Sequence, residues 1–468
     1  MYRTAQQLDD LVGLLAQALP QYCTLVPLPE NSVEGRPIRA LRVRRGGGPE
    51  RRGVLLIGGT HARELMNPDL LVELAVDLIN ADRTGQDLVL GGRVWPVAEL
   101  RLMLDVLDLY LLPCVNPDGR AYVMTTDDMW RKNRRDNAGT TCDGVDLNRN
   151  ADFLWGVTEG QTSCNPCTDV YVGTGATSEP ETRNVRHLLD TLRVDCFADV
   201  HSYSELVLYP WGHAPAQTTD PSRNFTTLPT GTCRPIGVPG YEEYLSPRDQ
   251  LRFTTVGQRI VDAIAAVRGR VYKNQSGFDL YGTTGTHGDY AYSRHIANPA
   301  QRKVYGYTIE AGPFVGNARD SFHPADPEPI KREVKSGLLA LVQQCICAIE
   351  LLGHELEVDA LRKVRDELLG TTEAGRAWIA LFEGAQTGLL NVVMTDERRR
   401  GRAADLVNRA GRLVGDEGAV LDPDLAGEAA ALLRELDPSL EAVSARLERE
   451  AGRRVTDVVA SLMDEGPV

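Results

Sequence analysis

Val54 to Leu65 reads VLLIGGTHAREL, and this stretch decides how the rest of the chain is read. Val54, Leu55, Leu56 and Ile57 form an unbroken apolar run, the pattern of a strand buried on both faces. Gly58 and Gly59 end the run, and His61 and Glu64 follow, three positions apart. Ligands of α/β sheets gather just beyond the carboxyl ends of strands, so an imidazole and a carboxylate at this point read as chemistry displayed at a strand end. The next segment, NPDLLVELAVDLINA, has helical periodicity and opens on Asn67 and Pro68, a cap followed by a first-turn proline.

The alternation continues outward. RGVLLIGG, LDLYLLPCVNPDG, CFADVHSY and VYGYTIEAG read as buried strands, while TAQQLDDLVGLLAQ and ETRNVRHLLDTL read as helices. An α/β fold follows, with a mixed, largely parallel central sheet flanked by helices. Trp211 to Tyr244, rich in Pro, Gly and Thr, reads as a long surface loop. After Gly353 the composition shifts to Ala, Leu, Arg and Glu at helical spacing, so residues 1–353 read as the α/β domain and 354–468 as an appended all-helical domain. The run ERRRGR within it reads as a solvated face or helix end.

A chain of 468 residues with 42% apolar residues can bury a large core. Its net charge of -14 argues against a nucleic-acid partner, which needs a clustered basic surface. No run is long and apolar enough to span a membrane, and the N-terminus lacks the pattern of a signal peptide, so a cytoplasmic location is expected. The nine cysteines show no paired framework and no repeated C-x-x-C zinc set. Cys345 and Cys347, inside GLLALVQQCICAIELLG, read as buried helical residues.

Two more polar landmarks end strands: His201 after CFADV and Glu310 after YGYTI. A catalytic zinc takes three N/O protein ligands and keeps one position open. His61, Glu64 and His201 would supply that set and leave a net positive ion that lowers the pKa of its water, with Glu310 as base.

At this point the chain resembles the zinc carboxypeptidases of the A/B type, the funnelin metallocarboxypeptidases, over roughly Tyr2 to Leu352. HARE matches the family's H-x-x-E, HSYS carries its second histidine, and YTIEAG carries its catalytic glutamate. NPDG, MWRK and GVDLNRN stand in the family's order between them. The resemblance implies one Zn2+ per chain and a peptide or protein C-terminus as substrate. It implies that Arg131 polarises the scissile carbonyl and that Asn148 and Arg149 hold the terminal carboxylate, for which a guanidinium fork is well matched. LYGTTGTHGDYAYS resembles the family's mobile loop and places Tyr281 as the phenol that closes over peptide, with Tyr203 lining the next subsite. His287, on that loop, reads as an ordinary exposed histidine, and His187, His213, His295, His323 and His354 are read in the same way. Cys142 and Cys167 stand where some secreted relatives carry a disulfide, which a reducing cytoplasm disfavours.

By the same resemblance Gly288, just before Asp289, would fall at the base of the pocket for the departing side chain, and Leu208 would add an apolar wall. An uncharged pocket base implies preference for neutral, bulky C-terminal residues, unless Asp279, Glu205 or the insertion after Trp211 reaches it. The chain begins almost directly on the first helix of the enzyme domain, so control by zymogen cleavage is not expected. The competing readings are a catalytically silent peptide-binding module and an effector subunit assembled, or self-associated, through the helical tail.

Overall fold

The Val54–Ile57 run is the middle of a fully buried strand in a computed structural model that describes residues 2–228, 233–346, 397–414, 419–436 and 440–464, with isolated positions between 369 and 378. The first elements in chain order are α1 (Ala5–Ala18), β1 (Cys23–Val26), β2 (Ala40–Val43), β3 (Gly53–Gly58), α2 (Met66–Thr84), β4 (Leu88–Leu90), β5 (Arg93–Trp95), α3 (Val97–Val106), β6 (Asp108–Leu112) and α4 (Pro117–Thr125). There follow α5 (Pro180–Thr191), β7 (Val194–His201), β8 (Leu206–Tyr209), β9 (Ala216–Gln217), β10 (Glu243–Tyr244), α6 (Pro247–Arg268), β11 (Lys273–Ser276), α7 (His287–Ala297), β12 (Tyr305–Glu310), α8 (Ala318–Phe322) and α9 (Glu328–Gln344).

Eight strands form the central sheet, in the order β1-β2-β6-β3-β7-β12-β8-β11. The middle of the sheet is parallel, β6 with β3, β3 with β7 and β7 with β12, whereas β2 and β8 pair antiparallel with β6 and β12. Strands β3, β6 and β7 are buried along their whole length, as expected of parallel strands covered on both faces. The mixed, largely parallel sheet is therefore as the sequence implies.

The glycines at the end of β3 have a packing reason. Gly59 sits at φ +67°, and a Cβ there would lie 2.8 Å from Pro68 Cγ, so the pair lets the chain turn tightly against the start of α2. That helix begins two residues earlier than its sequence signal: Leu65 is the cap and makes no side-chain cap bond. Asn67 lies inside the first turn instead, its Nδ2 3.5 Å from Glu64 Oε2 and its Oδ1 accepting from the Ser202 hydroxyl at 3.3 Å.

Two expectations are corrected. The Trp211–Tyr244 stretch is not wholly a surface loop: Trp211 to Ala214 are buried, Trp211 stacks on Phe153, and His213 pairs with Glu243 at 3.0 Å with both residues fully buried. The cysteines also form a paired framework, Cys142–Cys167, Cys164–Cys233 and Cys196–Cys345, with Cα atoms 4.9, 5.7 and 6.4 Å apart. The partners lie 25, 69 and 149 residues apart in sequence, so only the fold brings them together. Cys345 is thus the bonded cap residue after α9 rather than a thiol inside a helix, and Cys347 lies outside the described residues.

The chain packs as two compact units, Met1–Leu245 with Val256–Cys345, and Ser246–Thr255 with Ile346–Val468. The boundary expected at Gly353 lies outside the described residues. In the second unit the helices Glu397–Val414, Pro423–Leu436, Glu441–Glu450 and Val455–Asp464 surround a small core that includes Leu406, Leu425, Leu432 and Leu440. ERRRGR opens the first of these helices, with Arg399 and Arg402 paired to Glu435 at 2.7 and 3.1 Å. Among the described residues no helix is long and apolar enough to cross a membrane.

Candidate active site

His61 and Glu64 follow the end of β3, and His201 is the last residue of β7, two strands away from β6 on the other side of β3. Their donor atoms converge. His61 Nδ1 is 2.7 Å from Glu64 Oε1, and His201 Nδ1 is 3.0 Å from His61 Nδ1 and 3.1 Å from Glu64 Oε2. All three residues are buried, and their ligand atoms lie within 4.8 Å of one another.

The outward-facing nitrogens explain why two Nδ1 atoms face each other. His61 Nε2 is 3.2 Å from Asp146 Oδ1, and His201 Nε2 is 2.9 Å from Asp199 Oδ2. A carboxylate at Nε2 holds the ring proton there, so both Nδ1 lone pairs point at one place beside a carboxylate. Two nitrogens and one oxygen in that arrangement fit zinc. The charges around the rings differ: burial and the Arg131 guanidinium lower the pKa of His61, whereas at His201 burial is outweighed by Asp199 and Glu64, which raise it.

Glu310 ends β12, and the parallel register pairs its Cα with that of His201. Burial pushes its carboxyl up to about 7. Arg131 donates from Nε and Nη2 to Asp146 Oδ2 at 3.0 and 2.9 Å. One buried aspartate thus orients a guanidinium and a metal-site imidazole together. Asp146 lies in the GVDLNRN motif and Asp199 in a fully buried strand, yet neither was singled out in the sequence. The signal was present, because a carboxylate inside an apolar strand must have partners.

These groups line a cleft of about 250 Å³. His61, Glu64, Arg131, Asn148, Arg149, Tyr203, Leu208, Tyr281, Gly288 and Glu310 all contribute to its wall, and His201 touches it through His61 and Glu64. Arg149 is buried, donates from Nε to Gln161 O at 2.6 Å and from Nη1 to Asn148 O at 2.7 Å, and has no carboxylate partner among the described residues. Tyr281 is 40% exposed at the rim. Tyr203 packs against Phe322, with ring centroids 4.8 Å apart, and also lines the cleft.

The far end of the cleft carries Thr283, Thr286, Thr308, Gly212 and Asp289. Asp279 and Glu205 do not line it, and Glu205 is engaged by Arg270 at 2.7 Å. The acid that does reach the wall is Asp289, which accepts from Gly212 N–H at 3.2 Å and Thr286 Oγ1 at 3.0 Å. His287 is not exposed, as expected from the sequence, but is buried at the first turn of α7 with Nδ1 3.2 Å from Asp199 Oδ2.

A family model described as zinc carboxypeptidase matches residues 8–335. The chain belongs to the zinc carboxypeptidase family. Among curated relatives, this chain is 36% identical to carboxypeptidase B of Helicoverpa zea over 45% of its own length and 47% of the relative's. It is 29% identical to carboxypeptidase A1 of Homo sapiens over 69% of its own length and 68% of the relative's. The chain therefore spans about half the length of the first and about two thirds of the second. A protein of Arthroderma benhamiae that is 31% identical over 52% of this chain and 40% of its own is named an inactive metallocarboxypeptidase. In fold, carboxypeptidase A from Helicoverpa armigera superposes with a TM-score of 0.55 at 25% identity, covering 74% of this chain and 73% of that one. Thrombin activatable fibrinolysis inhibitor superposes with a TM-score of 0.58 at 21% identity, covering 74% of each chain.

Proposed function

We propose that this family member is a working exopeptidase that removes the C-terminal residue of peptides or proteins, with one zinc per chain held by His61, Glu64 and His201. The observation that carries the reading is the convergence of two imidazole Nδ1 atoms and a carboxylate in one cleft with the buried Arg149 guanidinium, which has no carboxylate partner among the described residues. Bound at the three ligands, the metal supplies Lewis acidity toward the scissile carbonyl and makes water a better nucleophile. Arg149 and Asn148 grip the substrate's terminal carboxylate, which selects the chain end over internal bonds. Tyr281 closes over the bound residue, and Tyr203 flanks the one before it. Arg131, fixed by Asp146, stabilises negative charge developing on the carbonyl oxygen. Glu310 takes the proton of the attacking water and returns it to the leaving amine, a role suited to a carboxyl that burial has raised toward neutrality.

For the departing side chain, Gly288 leaves room, Leu208 supplies an apolar wall, and the carboxylate of Asp289 is engaged by Gly212 N–H and Thr286. Neutral, bulky C-terminal residues are the proposed preference. Asp289 supports a second reading, in which a substrate cation reaches its carboxylate. The three cystines support an oxidising compartment rather than the cytoplasm expected from sequence.

The test is a peptide-library digest read by mass spectrometry, with and without chelator, on matched peptides ending in Phe, Leu, Arg and Glu. Single-residue losses that stop with chelator and with C-terminal amidation are expected. Internal cleavage, or equal cleavage of amidated peptides, would sink the exopeptidase reading, and a strong preference for Arg would assign the pocket's selectivity to Asp289. No turnover with bound peptide and bound zinc would favour the silent binding module.

A further inference from the structure

Asp199 is a carboxylate in the middle of a strand whose eight residues are all buried. Side chains two apart on a strand share a face, so Asp199 stands on the same face of β7 as His201. Its partners are Thr60 Oγ1 at 3.1 and 3.2 Å, His287 Nδ1 at 3.2 Å and His201 Nε2 at 2.9 Å. No Lys or Arg pairs with it among the described residues. Asp146, which does the corresponding work for His61, is balanced by the Arg131 guanidinium. The two aspartates are therefore not equivalent: the charge of Asp199 has only imidazoles and a hydroxyl to answer it.

His287 makes a second connection. Its ring braces Asp199, while its backbone N–H donates to Asn148 Oδ1 at 3.0 Å, so one residue touches both the carboxylate behind the metal site and the amide that faces the substrate's terminal carboxylate. The ring's Nε2 is buried without a partner, which leaves Nδ1 as the atom that does its work.

We propose that Asp199, braced by His287 and Thr60, is the positioning residue that sets the tautomer and orientation of His201, and that His287 ties this arm to the substrate-carboxylate clamp at Asn148. The inference rests on the metal assignment above. A carboxylate hydrogen-bonded to a ligand imidazole raises its basicity and fixes its ring, and losing such a partner lowers metal affinity by about 10–100-fold.

The experiment uses the full chain and compares wild type with Asp199→Asn, His287→Gln and Thr60→Val. Zinc affinity is measured by chelator competition, the cobalt(II)-substituted protein by visible absorption, and kcat and KM at saturating zinc. Asp199→Asn is expected to bind zinc about 10–100-fold more weakly, to shift the cobalt bands, and to lose kcat with little change in KM. His287→Gln and Thr60→Val, each of which removes one brace from Asp199, should move all three in the same direction by less. Folded Asp199→Asn with wild-type zinc affinity and cobalt spectrum would overturn the proposal. Should Asp199→Asn fail to fold, His287→Gln decides, and an unchanged affinity and spectrum there overturn it equally. Wild-type protein that binds no zinc would instead overturn the functional reading, and this one with it.

Discussion

A buried carboxylate either finds donors or gives up its charge, and the cleft contains both outcomes. Glu310 is pushed up to about 7 by burial, and as a base it must be deprotonated to work. The rate kcat/KM should therefore fall as pH drops through its pKa; a bound cation favours the carboxylate, which sets the acid limb between the ordinary carboxylate range and about 7. Glu310→Gln should retain zinc and peptide binding and lose turnover by several orders of magnitude, on the order of 10³-fold or more. Near-normal turnover would remove Glu310 from its role. Asp289 is pushed up to about 6, again chiefly by burial. Its folded pKa exceeds the unfolded one, so between about pH 4 and 6 the native state holds more protons, and stability from this group falls as pH rises through that window. Asp289→Asn should then raise the free energy of unfolding relative to wild type more at pH 7.5 than at pH 4.5, by an amount on the order of 2 kcal/mol, as calorimetry at the two pH values would show. At this scale the candidate group His61, Glu64 and His201, whose donor atoms converge, and Glu310 beside it could be picked out in the sequence because residue type, order and strand-end position agreed. Asp146 and Asp199 were not assigned, because a single aspartate in sequence does not reveal which ring it faces.

Elements set distances that single residues cannot. The parallel register of β7 and β12 brings Glu310 beside His201, so the separation of base and ligand is a strand spacing. The segment around Gln161 plays a similar part: its carbonyl holds Arg149 Nε, its N–H donates to Gly282 O at 2.8 Å next to Tyr281, and Cys164–Cys233 bonds it to the insertion. Replacing Cys164 and Cys233 together by Ser should cost about 2–4 kcal/mol of stability. It should also raise KM for free-carboxylate peptides several-fold, by roughly 3–10, with a smaller change in kcat. An unchanged KM in a less stable protein would limit the bond to stability. The strands and helices of the sheet were readable from their apolar periodicity. The cystines and the buried start of the Trp211 insertion were not, since both depend on partners far away in sequence.

In the whole molecule, the site residues all belong to the first compact unit, whereas the second takes in Ser246–Thr255 along with the tail. Ending the chain at Ile346 should keep kcat and KM on short peptides close to wild type while lowering Tm, because the first turns of α6 lose the rest of their unit. Loss of zinc binding in a soluble, folded truncation would show that the tail helps to shape the cleft. The Cys196–Cys345 bond gives the arrangement a mechanical meaning. Cys345 is the last residue of the first unit, and it is joined covalently to β7, the strand that ends in His201. Traction applied through the tail meets the sheet at Cys196 before it can peel α9 away, since α9 lies within the covalent loop.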